Sequence, residues 1–209
     1  MIVVFIFSAI LQCLGLPSGQ PSRPSKTYFP NTRGDYWEYA VYDSSKTRDH
    51  PDFQRDYTVR ITVGGSVNLA DGKPATVWQY QYPWGKDTGY VRMDGDTIKI
   101  FDRIYSSSVR ALSFPRQLFI QPFVLNSSWE GKLLFTDSFR VVDRSTVTTP
   151  AQTFTGCYTL VRHYRGPNLE YKDRFWFKPY TGMVRIDYHQ YNMGVLTIAT
   201  WQLKRYSLH

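Results

Sequence analysis

The side chains able to do chemistry are few and scattered along the 209 residues. Histidine occurs four times, at His50, His163, His189 and His209, and cysteine twice, at Cys13 and Cys157. A metal centre needs at least three such ligands converging from different segments. Only His163 and His189 fall on segments that read as strands able to neighbour one another, with Asp187 and Cys157 close by in sequence. A surface histidine or a satisfied core histidine is the better reading of each, and no metal or other cofactor is expected. Carboxylates recur as Asp94/Asp96 and Asp49/Asp52, spacings that invite a glycosidase or a calcium site. Asp94-Gly95-Asp96 is better explained as a hairpin turn, and Asp49-His50-Pro51-Asp52 as a polar loop. Arg33-Gly34-Asp35 spells an integrin-type tripeptide, and chance is the preferred explanation. GxSxG, HExxH, a P-loop, GxGxxG and CxxC do not occur, so the common hydrolase, zinc, nucleotide and redox signatures are missing. The residues point away from catalysis; a hydrolase using carboxylates or the His163/His189 pair is the alternative.

What the chain does hold in quantity is aromatic surface. Tyr 16, Phe 13 and Trp 6 make up 17% of the residues, and side chains that tolerate one wet end suit a broad concave binding face. Trp78, Tyr80 and Tyr82 alternate along one segment and Trp176 marks another; with His163 and His189 they are the candidate ligand contacts. The net charge of +8 is uneven: residues 1–131 hold 14 basic and 12 acidic side chains, residues 132–209 hold 11 and 5. Arg140, Arg162, Arg174 and Arg185, dispersed among Tyr and Phe, read as solvated strand faces. A basic aromatic sheet can bind single-stranded nucleic acid, but no nucleic acid is expected here, since a protein with the amino-terminal leader described below rarely meets it; a glycan, a lipid or an envelope protein is the expected partner.

The elements that must position these residues show period two. Tyr57, Val59, Ile61 and Val63 alternate with Thr58, Arg60 and Thr62 before Gly64-Gly65, the signature of a half-buried strand and a turn. The same alternation recurs at 76–82, 90–93, 97–101 and 135–143, then at 157–164, 171–177, 183–191 and 195–206, with turn residues between. The best helical candidate, 107–118, is interrupted by Pro115. About ten short strands and little helix predict a single antiparallel, sheet-rich, all-β domain over 28–209: a curled half-barrel, a closed barrel or a sandwich. Cys157, at the start of an alternating segment, reads as a buried structural thiol.

The amino terminus reads as an address. Residues 1–20 carry no charged side chain, and Ile2 to Leu16 form an apolar run too short to span a bilayer, for which about 20 residues are needed. The small and polar Pro17-Ser18-Gly19-Gln20 follows, as after an export signal. Ile10-Leu11-Gln12-Cys13 loosely matches a lipobox, in which Cys13 would be acylated, but Gln12 fits that pattern poorly and ordinary cleavage near Gly19 or Gln20 is the better reading. Residues 21–27 continue a Pro/Ser-rich tether. These features predict a periplasmic, outer-membrane lipoprotein or extracellular location, with membrane contact only through a lipid anchor.

Three blocks together resemble a known group. Tyr28-Phe29-Pro30 with Gly34, Trp37 and Tyr39 is similar to the opening YFPxxxGxxWxY of uncharacterised exported proteins of the Bacteroidetes and Chlorobi. Pro150-Ala151-Gln152-Thr153-Phe154 with Cys157 resembles their PAGTFxxC, and Trp176-Phe177-Lys178-Pro179 through Gly182-Met183-Val184 their WFAPGVGMV hairpin. Gln152 departs from the usual Gly, and Lys178 and Tyr180-Thr181 alter the hairpin tip. The resemblance implies a sheet-rich envelope domain, in some members a lipoprotein, and brings no catalytic residues with it.

Overall fold

The computed structural model describes residues 29–47, 52–102, 115, 117–132 and 136–209. The leader with Cys13, the tether, Tyr28, Asp49, His50 and most of 107–118 lie outside the described residues. Twelve strands follow one another: β1 (Tyr36–Lys46), β2 (Phe53–Asn68), β3 (Pro74–Tyr82), β4 (Gly85–Asp94), β5 (Thr97–Asp102), β6 (Gln117–Ile120), β7 (Ser128–Lys132), β8 (Thr136–Thr148), β9 (Thr153–Arg165), β10 (Leu169–Lys178), β11 (Gly182–Asn192) and β12 (Val195–Ser207). The described residues contain no helix.

All twelve strands belong to one antiparallel sheet in the order β6-β5-β4-β3-β2-β1-β12-β11-β10-β9-β8-β7. Two six-strand meanders are thus joined where the first strand pairs with the last, from Tyr36↔Ser207 to Lys46↔Leu196. Asp35 locks this junction: its carboxylate accepts from Thr32 N and from His209 N, each at 2.8 Å. The side chain is buried, so the Arg33-Gly34-Asp35 tripeptide is a structural corner rather than an offered ligand.

The sheet rolls into a nearly closed barrel. Its edges, β6 and β7, share no ladder, but Trp129 Nε1 of β7 donates to Leu118 O of β6 at 3.1 Å. Behind that seam the ring of Phe119 meets Phe139 and Phe175 edge-on. A twisted antiparallel sheet that curls until its edges meet removes most of the exposed edge. This resolves the choice left open by periodicity: one rolled sheet, not two packed ones.

Strands are more numerous and longer than the alternation alone predicts. β2 does not end at Gly64-Gly65 but continues to Asn68 through an irregularity between Val63 and Ser66. Two glycines without side chains let the strand bend there while pairing resumes, which is how a curved wall accommodates a local kink. The expected turns at Gly95, Gly166-Pro167 and Gly194 all connect antiparallel neighbours. At the β10–β11 turn Tyr180 and Gly182 have φ of 66° and 93°; Gly182 accommodates that backbone and leaves space for the Trp37 indole, which a Cβ would approach to 3.4 Å.

Alternation then sorts side chains. Trp37, Tyr39 and Val41 of β1, Val59, Ile61 and Val63 of β2, and Phe175 and Phe177 of β10 point inward and are buried. Phe29 stacks on Trp78 at 5.0 Å and Trp37 packs beside it at 5.1 Å, closing one end of the barrel with aromatic rings. Trp37 Nε1 donates to Thr181 O and Trp78 Nε1 to Asn31 Oδ1, so neither buried indole N–H is left unmade. Cys157 is fully buried, and burial pushes its thiol up to about 11, as a structural cysteine requires.

Candidate functional site

Followed along the same inward positions, the strands change character towards the opposite end. In β1 the series Trp37, Tyr39, Val41 continues with Asp43; in β2 the series Ile61, Val59, Tyr57 continues with Arg55. Asp43 and Arg55 are direct cross-strand partners, and Arg55 Nε and Nη2 both donate to Asp43 Oδ2, at 3.1 and 2.8 Å. The pair forms the base of an open cleft of about 580 Å3 on the concave side of the sheet.

One wall of the cleft is aromatic. Tyr80 and Tyr82 stack with centroids 6.5 Å apart, and Tyr82 stacks on Trp84, just beyond β3, at 5.5 Å. Tyr57 meets Trp84 edge-on at 4.8 Å. The Arg55 guanidinium lies 4.1 Å from the Trp84 ring centroid and 4.9 Å from that of Tyr57, close enough for cation–π attraction. Trp84 nevertheless keeps 57% of its surface in solvent. Gly89 makes the ladder fit: a Cβ there would come within 2.9 Å of the Tyr80 ring. Burial, then the charge of Asp43, raises the Tyr57 pKa, keeping its hydroxyl protonated.

The other wall comes from β11 and β12, with Tyr188, Gln190, Thr197, Ala199 and Trp201. Behind it lies a charged group with no counterpart at the aromatic end. Arg162 of β9 is buried between two fully buried carboxylates: Nε donates to Asp137 Oδ2 at 2.5 Å and Nη1 to Asp173 Oδ2 at 3.2 Å. Asp173 Oδ1 also accepts from the backbone N of His189 at 3.3 Å, and Gln190 Nε2 lies 3.3 Å from each Asp173 oxygen. Asp137 Oδ1 is buried without a hydrogen-bond partner among the described residues. Burial raises the Asp137 pKa against the opposing pull of Arg162.

The sequence candidates divide between the faces. Tyr82 lines the cleft and Tyr80 backs it. Trp78 is a core ring, 2% exposed. Trp176 alternates out of step with inward Phe175 and Phe177, so it lies on the outer face, where the Arg185 guanidinium stands 4.9 Å from its ring. His163 and His189 also face outward and are exposed; the ladders put Lys172 opposite His163 on the strand between them. His163 Nε2 has Glu170 at 3.7 Å, and no group of three metal-ligating side chains exists among the described residues. Asp94 is held by Arg92 and Lys99, and the Lys99 hydrogen bond keeps its pKa low; it is an ion-paired turn residue, not half of a carboxylate pair. Asp52 pairs with Lys46. The reading of Arg162 as a solvated strand residue is corrected: it points into the barrel, because its strand parity is that of Leu160. That parity was the available signal, as Asp173 likewise shares the phase of Phe175 and Phe177, and Asp137 that of Phe139 and Val141. Arg55, Asp43, Trp84 and Gln190 carried no motif.

Neither protein-family models nor curated proteins match the chain. Among solved structures it is similar to a candidate exported protein with a YmcC-like fold from Bacteroides fragilis, with 15% identity over 87% of this chain and 99% of that one and a TM-score of 0.47. It is also similar to a candidate lipoprotein from Parabacteroides distasonis, with 16% identity over 87% and 98% of the two chains and a TM-score of 0.43. A DUF1329 family protein from Desulfovibrio piger aligns over 82% of this chain and 85% of that one, at 10% identity and a TM-score of 0.25. Function does not travel with likeness of this degree.

Proposed function

We propose that the protein is an exported carbohydrate-binding module of the bacterial envelope, without catalytic activity, and that the concave cleft is its ligand site. One observation carries the reading: an exposed Trp84, continued by Tyr82 and Tyr80 as a ladder of rings, stands over the Arg55–Asp43 pair in an open cleft. The C–H face of a pyranose stacks on an aromatic ring while its rim of hydroxyls needs paired donors and acceptors, and a concave site with a few polar groups supplies both. Arg55 and Lys86 are balanced by Asp43 and Asp87 along the cleft, which suits an uncharged sugar. Lipid tails would call for a more apolar lining. Asp43 is committed to Arg55 and so is not placed to act as a free general base.

The leader, the Pro/Ser-rich tether and the resemblance to exported proteins support the address. Intact mass of the protein from a related bacterium tests it: an acylated chain starting at Cys13 or an unmodified one starting near Gln20 supports export, and retention of Met1 refutes it. For the cleft, the full chain is titrated with β-1,4-glucan and β-1,4-mannan hexasaccharides while tryptophan fluorescence and melting temperature are followed. Saturable change that vanishes in Trp84→Ala is expected. No response to either sugar sinks the carbohydrate reading.

A further inference from the structure

We infer that Gln190 is a specificity-determining residue of this cleft: the buried Asp137–Arg162–Asp173 group fixes its side-chain amide so that the carbonyl oxygen faces the ligand, selecting a hydrogen-bond donor and rejecting a carboxylate. The inference rests on the reading of the cleft as a sugar site and adds which sugars enter it.

The argument begins with what a carboxylate can do. An ionised carboxylate accepts hydrogen bonds and donates none, whereas a glutamine amide has a donor end and an acceptor end that differ only in orientation. Gln190 Nε2 is 3.3 Å from both Asp173 oxygens, so the donor end is turned to Asp173 and Oε1 is turned away from it. Gln190 is also part of the cleft wall. The acceptor end is therefore what the wall presents.

Asp173 is suited to hold this orientation. It is fully buried, and it is itself fixed by Arg162 Nη1 and by the His189 backbone N–H. Arg162 in turn is held from its other side by Asp137. The Gln190 oxygen held in this way favours a hydroxyl or amide N–H and opposes a uronic acid. Asp173 and Arg162 touch no ligand in this scheme; they are positioning residues.

The test uses matched hexasaccharides, the neutral β-1,4-glucan and β-1,4-mannan and their C6-oxidised, carboxylate-bearing counterparts, with the full chain. Wild-type protein is expected to bind a neutral oligomer at least about tenfold more tightly than its uronate. Gln190→Leu, which removes the acceptor together with the amide donor to Asp173 but leaves the Arg162 and His189 contacts of Asp173 in place, is expected to lower neutral affinity about tenfold at a modest cost in melting temperature. Asp173→Asn replaces one of the two acceptor oxygens facing Gln190 with an amide donor, so the amide is no longer held in one orientation and the preference for the neutral oligomer shrinks. A merely structural role for Asp173 would weaken both sugars alike. A readout without ligand comes from the Gln190 side-chain amide protons: slowed exchange with water that is lost in Asp173→Asn is expected, and free exchange in the wild type overturns the inference. Binding that depends on Trp84 but is unmoved in Gln190→Leu overturns it too, while leaving the sugar site standing. If no oligomer binds, both fall.

Discussion

The two ends of the barrel interior are built from the same strands and the same inward positions, yet they hold opposite chemistry. At the closed end β1, β2, β3 and β10 contribute Trp37, Val63, Trp78 and Phe177, all buried. At the open end the same strands contribute Asp43 and Arg55, Tyr82, and the fully buried Asp173. Period-two burial thus selects where a side chain points, not what it is. Polar residues at inward positions cost stability unless paired, and here they are paired with one another and gathered at one end. A fold that needed only a core would have no reason to collect them there. The contrast separates a closed end packed for stability from an open end that holds the groups the proposed binding role would use.

The largest effect should come from the closed end. Trp78 is stacked on Phe29, packed on Trp37 and hydrogen-bonded to Asn31; Trp78→Ala is expected to cost about 3–5 kcal/mol, the usual range for a large buried aromatic. Chemical denaturation gives the figure directly. A loss under about 1 kcal/mol would break the comparison, because stability would then not reside in that end.

Next is the buried charge group, which distinguishes a pair that stabilises from a pair that merely tolerates burial. Arg162→Leu removes the guanidinium that Asp137 and Asp173 share, and a loss of about 3 kcal/mol is expected. Replacing Asp137, Arg162 and Asp173 together by Leu, Met and Leu is expected to restore most of it while abolishing selection at Gln190. A triple variant as unstable as the single one would mean that the group stabilises the wall in its own right.

A pH experiment sharpens this further. The folded pKa of Asp137 lies above the ordinary aspartate value of 3.8, so the native state holds that proton more tightly than the unfolded chain. Its contribution is present below 3.8 and is lost as pH rises from there through the raised folded pKa. Asp94 runs the other way: its folded pKa is lowered, and its contribution is lost as pH falls through that lowered value. Comparing wild type with Asp137→Asn between about pH 3 and 7 isolates the first term. Wild type should lose stability relative to the variant as pH rises above 3.8; a constant difference would place Asp137 in a more solvated setting than the structure shows.

How much of this was readable from the sequence follows from the same contrast. Alternation at Tyr57 to Val63 and through the last four strands conveyed an antiparallel sheet, because half-burial forces period two. It did not convey a single rolled sheet, since closure depends on β1 pairing with β12, which is far away in sequence, and on a side-chain bond from Trp129 to Leu118 across the seam that alternation does not register. The short edge strand β6, only Gln117–Ile120, offers too few residues for a pattern. Tyr80 and Tyr82 were legible as aromatic alternation; Trp176, equally conspicuous, stands on the outer face because it is one residue out of phase with Phe175. Arg162 looked like surface because charge was weighed above parity. Gln190 could not be found at all: its meaning depends on Asp173, 17 residues earlier and on the neighbouring strand.

The smallest effect on stability should be the most informative about function. Trp84 lies only six positions after Trp78 but at the other end of the barrel, and is 57% exposed against 2%. Trp84→Ala removes a stack on Tyr82, an edge contact with Tyr57 and the Arg55 cation–π contact, together worth about 1–2 kcal/mol at a partly solvated site. Arg55 keeps Asp43, so no charge is stranded and the fold should melt within a few degrees of wild type. Binding of neutral hexasaccharide, in contrast, should fall by more than tenfold, because the ring at the cleft mouth is lost. If Trp84→Ala instead destabilised the protein as strongly as Trp78→Ala, the aromatic ladder would be a second core, and the division between a stabilising end and a recognising end would dissolve. A stable variant that no longer binds sugar would fix that division at the level of two tryptophans six positions apart, one within β3 and one just beyond it.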